Sequence, residues 1–101
     1  MSIARVTAAL ATGDSFSAPV RLRGRFNFVL TGSFAASVRL QRSFADPAGS
    51  ADWHDIPDGL GNTEFTGPVA FVGEEPEGAW YRFGIASGDY TSGTASGRLS
   101  Q

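Results

Sequence analysis

"PVRLRGRFNFVLTGSFAASVRLQRSF", residues 19–44, alternates apolar and polar side chains along two adjoining segments, and a period of two is the mark of a half-buried β-strand. In the first segment Val20 and Leu22 face one side and Arg21 and Arg23 the other. Beyond Gly24, the side chains of Phe26, Phe28 and Leu30 share a face opposite Arg25, Asn27 and Val29. Gly24 reads as a bulge or bend. In the second segment Ala36, Val38 and Leu40 point inward while Ser37, Arg39 and Gln41 point outward. The "TGS" at 31–33 between the segments reads as a tight hairpin turn.

Further strands are expected at 3–10, 53–56, 63–72, 79–87 and 93–101, separated by the turn signals "TGDS", "ADPAGS", "PDGLGN", "GEEPEG" and "SGDYTSG". In "AWYRFGIAS" the pattern places Trp80, Arg82 and Gly84 on one face and Tyr81, Phe83 and Ile85 on the other. No segment reads as a helix longer than two turns. Six to eight short strands in 101 residues, with 13 glycines and eight phenylalanines, point to one all-β domain spanning 1–101. The expected architecture is a single antiparallel β-sandwich, Ig-like or jelly-roll-like. Residues 1–14 alternate less well and read as a flexible or partner-pairing N-terminal segment. With no cysteine, neither disulfides nor a thiolate metal site hold the fold.

Net charge is −2, and no basic cluster coats the sequence, which argues against nucleic acid as partner. The N-terminus is too mixed for a signal peptide or a membrane span, so synthesis in the cytoplasm is expected. Charge is nevertheless segregated: residues 1–43 carry +5, residues 44–89 carry −8, and Arg98 adds the last positive charge. Two readings stand side by side. Either the halves neutralise each other across strands within one fold, or the basic strands of one copy meet the acidic loops of another.

"SFADPAGSADWHDIP", residues 43–57, holds the only histidine. A catalytic reading makes His54 a base oriented by Asp52, Asp55 or Asp58, but there is no cysteine, and no serine lies in a nucleophile-elbow context. A calcium reading gathers Asp46, Asp52, Asp55 and Asp58, whose spacing does not match the known calcium-loop pattern. A turn explains more of the residues. Asp46 forms an Asx-turn, Pro47 presets φ, Gly49 takes positive φ, and Trp53 returns the chain with its ring on the core. This stretch resembles a loosened Asp-box hairpin, a device with no chemistry of its own. Neither a catalytic residue nor a cofactor or metal site is assigned. "GEEPEG" at 73–78 reads as a solvated acidic loop, or as a docking loop through Glu74, Glu75 and Glu77. Trp53 and Trp80 read as core, and Tyr90 as a surface aromatic.

Taken together, "GRFNFVLTGSFAASVRLQRSF", a turn and a Trp, then "EEPEGAWYRFGIASGDYTSGTASGRLSQ", resemble small virion proteins of tailed bacteriophages. The likeness covers residues 19–101 and departs in the turn at 45–52 and in "GTASGRLS". It implies a non-enzymatic structural protein of the virion, foremost a capsid decoration or cement protein on the major capsid lattice, present in many copies as a homo-oligomer. Arg21, Arg23, Arg25 and Arg39 are then the outward contact residues. A tail, connector or spike component is the alternative, and a carbohydrate-binding module that touches host glycans through Trp53, Trp80 and Tyr90 is a third.

Overall fold

The computed structural model describes residues 4–47, 49, 52–57 and 61–101, and within them every regular element is a β-strand. In chain order these are β1 (Arg5–Leu10), β2 (Ser15–Phe16), β3 (Val20–Thr31), β4 (Phe34–Ser43), β5 (His54–Asp55), β6 (Val69–Gly93) and β7 (Ala95–Ser100). All pairing is antiparallel, and it links the seven strands in the order β1-β7-β3-β6-β4-β5, with β2 also on β6. The all-β antiparallel expectation therefore holds. The hydrogen bonding links the seven strands in one continuous sheet, and this connectivity does not by itself show a sandwich.

Three expected turns are absent as turns. Residues 31–33 do not close a hairpin, because β3 and β4 are not neighbours. They run instead as one bent strand along a single partner: Thr31 faces Ser96 in β7, Phe34 faces Gly93 in β6, and the Thr94 amide donates to the Ser33 carbonyl between them. The second is "GEEPEG", which lies inside β6 and not between strands. There β3 advances from Leu22 to Gly24 while β6 advances from Ala79 to Glu75, so Pro76, Glu77 and Gly78 are pushed out as a bulge. Gly24 (φ 88°) and Gly78 (φ 90°) supply the left-handed conformations that flank it. "SGDYTSG" is likewise absorbed into β6, with a second bulge between Ile85 and Tyr90 opposite Ala36–Val38.

The core follows the alternation. Leu22, Phe26, Phe28 and Leu30 of β3, Val38 and Leu40 of β4, Tyr81, Phe83 and Ile85 of β6 and Leu99 of β7 are all buried in one cluster. Each fully buried large apolar side chain contributes ~1.5–3 kcal/mol, and this burial is the main source of stability in a chain with no cross-links. Phe28 is its centre, with ring centroids 5.5–5.8 Å from Phe65, Phe71 and Phe83. Because Phe71 and Phe83 lie in opposite halves of β6, that long strand must bend for both rings to reach Phe28. The outer face of the sheet then carries the polar alternate positions.

Candidate functional site

Alternation along β3 puts Arg21, Arg23 and Arg25 in a row on the outer face, all exposed, and among the described residues none of the three makes an ion pair. Arg25 faces Glu74 across the β3–β6 ladder without bonding to it. The Arg21 guanidinium lies over Gly78 at the bulge, and Trp80 is its partner in register on the outer face. Backbone alongside the row is fixed by the C-terminal residue, whose side-chain amide donates to the carbonyls of Arg23 and Arg25. The result is a row of exposed cations at a spacing of two residues on a pinned strand, with Glu74 facing Arg25.

The other expected contact arginine behaves differently. Arg39 is only half exposed and binds Asp55 at 2.9 Å, Glu64 at 3.1 Å and Asp89 at 3.4 Å. Burial pushes its guanidinium down in pKa, but the bond to Asp55 and the charges of Asp55, Glu64 and Asp89 outweigh burial and hold it above its ordinary value. Arg39 is therefore an internal clip and is unavailable as an outward contact. Part of the charge segregation is thus neutralised within the fold.

Next to it, Arg82 lies over two rings, its Cζ 3.9 Å from the Phe16 centroid and 4.4 Å from that of Trp53. Its Nε donates to Gln41, and Gln41 donates in turn to Asp55. Burial lowers the Arg82 pKa against the opposing charge of Asp14. Gly84 is required beneath this clamp, since a Cβ there would lie 2.3 Å from both the Phe16 ring and the Ser15 carbonyl. Trp53, expected in the core, lies outside the buried cluster and stacks on a cation. Trp80 is also outward. Tyr90, expected at the surface, is half-buried, packs against the core and donates its hydroxyl to the Gly93 carbonyl.

The acidic motif is also redistributed. Glu74 and Glu77 are exposed, but Glu75 is 1% exposed and faces inward at the bulge. Its carboxylate accepts from the Tyr81 hydroxyl at 2.8 Å, from Arg42 Nη1 at 3.2 Å and from the Glu77 amide at 3.2 Å. Burial pushes this carboxyl up, yet the three donors together hold it below its ordinary value. The Tyr81 phenol is pushed well above its ordinary value by burial and by the adjacent Glu75 charge. Glu75 is thus a structural anchor of the bulge, which removes it from any docking loop.

In the histidine-bearing stretch, Ser43 helps to organise the turn. Its buried hydroxyl accepts from the amides of Ala45 and Asp52. The Gly49 amide closes a turn onto the Asp46 carbonyl, and Gly49 is not in the positive-φ region that was expected of it. His54 and Asp52 are exposed and 3.1 Å apart, whereas Asp55 is committed to Arg39 and Gln41, and Asp58 lies outside the described residues. Among the described residues no group of three or more acidic or histidine side chains is placed to hold a metal ion.

A shallow groove of about 650 Å³ crosses the outer face of β1, β7 and β3, between Thr7, Ala9, Val29, Thr31, Ser96 and Arg98. Among the described residues Arg98 is the one ionisable group on its walls. Among the described residues no helix is long and apolar enough to cross a membrane. No protein-family model, no curated protein and no solved structure matches this chain.

Proposed function

We propose that the protein is a non-enzymatic structural protein of a tailed-bacteriophage virion, most specifically a decoration or cement protein on the major capsid protein lattice, made in the host cytoplasm and located in the particle. The observation that carries this reading is the row Arg21, Arg23 and Arg25, three exposed cations without ion pairs among the described residues, on a segment paired to β6 along one edge and held by the Gln101 side chain along the other. Such a row steers association toward an acidic surface and fixes orientation more than it adds affinity. Many copies on a repeating lattice multiply that modest contact. The resemblance of residues 19–101 to small virion proteins supplies the identity of the lattice. With Arg39 and Glu75 engaged internally, the contact set is Arg21, Arg23 and Arg25, with Glu74 and Glu77 at its rim.

The test is quantitative mass spectrometry of purified particles, together with rebinding of purified protein to stripped heads. The expected stoichiometry is one that scales with the major capsid protein. A single ring of copies at one vertex or along the tail would move the protein to the connector, spike or tail. Replacing Arg21, Arg23 and Arg25 by Gln should abolish rebinding, weaken salt dependence and cost no more than ~0.5 kcal/mol of stability per substitution. A glycan-binding module is favoured only by the outward Trp80, and glycan-array binding lost in Trp80→Ala would establish it in place of the capsid role.

A further inference from the structure

We propose that β1 is a self-docking strand: two copies of the chain join their β1 edges antiparallel about a two-fold axis at Thr7. This goes beyond the capsid reading and does not depend on it, because the arginine row lies on β3.

β1 is paired with β7 along one edge, and among the described residues nothing pairs with the other. The Gln101 amide donates to the Ala4 carbonyl at 3.0 Å, so Ala4 and Gln101 form a hydrogen-bonded pair of the ladder. Alternation in an antiparallel ladder then turns the backbone groups of Val6, Ala8 and Leu10 toward β7 and those of Arg5, Thr7 and Ala9 away from it. Three donors and three acceptors point outward from one strand.

Several other edges of the sheet are guarded. β2 and β5 are two residues long. The second edge of β6 pairs with β4 only from Trp80 onward, and its unpaired part carries Glu74, Pro76, Glu77 and the bulge. Short length, charge, proline and bulges are the devices that stop edge-to-edge pairing. β1 has none of them apart from Arg5 at its start.

A second copy fits this edge. With Thr7 opposite Thr7, all three outward residues pair, giving about six backbone hydrogen bonds. Arg5 then faces Ala9 of the other copy and not another arginine, and the two threonines form a favourable cross-strand pair. On the inner face Val6 meets Ala8, and both are apolar side chains that pack on the core while remaining partly exposed. The contact is isologous, and it closes at two copies.

The full chain should show a two-copy mass by native mass spectrometry and sedimentation, with Thr7 and Ala9 amides protected from exchange in a concentration-dependent way. Thr7→Pro removes an outward N–H and spares the β7 ladder, so it should give a folded, single-copy protein. Thr7→Lys, which places like charges at the axis, should do the same if the proline variant does not fold. A single-copy parent at every concentration, or a two-copy mass that survives both variants, overturns the proposal. Protection of Thr7 and Ala9 that arises only on adding capsid protein would also overturn it, by assigning the edge to a donated strand.

Discussion

The Tyr81 hydroxyl donates to the buried Glu75 carboxylate at 2.8 Å, and this bond ties the inward side of the β6 bulge to the core strand that follows it. The Tyr81 ring also meets Phe26 with centroids 4.8 Å apart, so the same residue serves the apolar core through its ring and the bulge through its hydroxyl. The bulge carries Glu77 outward and positions Gly78 beneath Arg21. The buried anchor therefore supports the rim of the arginine row.

Tyr81→Phe should cost ~1.5–3 kcal/mol, the range for a hydrogen bond to a charged group, because the ring contact is kept and one of three donors to Glu75 is lost. Glu75→Ala should cost more, ~3–5 kcal/mol, since it leaves the Tyr81 hydroxyl buried without its acceptor and Arg42 without its counter-charge. Urea unfolding with an unchanged m-value measures both. A Tyr81→Phe effect below ~0.5 kcal/mol would mean that the hydroxyl is dispensable to the bulge.

The same pair sets the pH range of the fold. Glu75 is held below its ordinary value of 4.5, so the unfolded chain binds that proton more tightly; its contribution is full above pH 4.5 and is lost as pH falls through the folded value. Tyr81 is raised above its ordinary value of 10.0, so its contribution is full below pH 10.0 and is lost as pH climbs toward the folded value. Stability against pH should show a plateau between these limits. Glu75→Gln should flatten the acid limb, and an acid limb of unchanged steepness would assign acid unfolding to other carboxylates.

The faces of the strands were legible in the sequence, while their neighbours were not. One parity runs from Leu22 through Phe26, Phe28 and Leu30 to Val38 and Leu40, and it crosses residue 32 without a break. A hairpin reading of "TGS" ignores that continuity, which belongs to one bent strand. A second parity runs from Phe71 through Gly73 and Glu75 to Ala79, Tyr81, Phe83 and Ile85. Glu75 thus occupies a core position of an alternating strand, but the acidic, proline-bearing composition of 73–78 reads as loop. Which strand pairs with which is set by long-range packing around Phe28, and alternation within one strand carries no record of it. Trp53 was misplaced for a related reason: its partner, Arg82, is far away in sequence, and cation–π stacking leaves no local pattern.

That stacking leads to the final expectation. Trp53 is half-buried against Arg82 and lies outside the core cluster, so Trp53→Ala should cost ~1–2 kcal/mol, below the ~3–5 kcal/mol of a fully buried aromatic. His54→Ala should stay within ~0.5 kcal/mol, since the imidazole is exposed and its partner Asp52 is exposed as well. Arg82 also anchors Phe16 and Gln41, so Arg82→Met should exceed Trp53→Ala, and the double variant should fall short of the sum. A double-mutant cycle in denaturant measures that coupling. Strict additivity would show that the tryptophan and the arginine stabilise the fold independently, and the clamp between Phe16 and Trp53 would then be a contact without energetic weight.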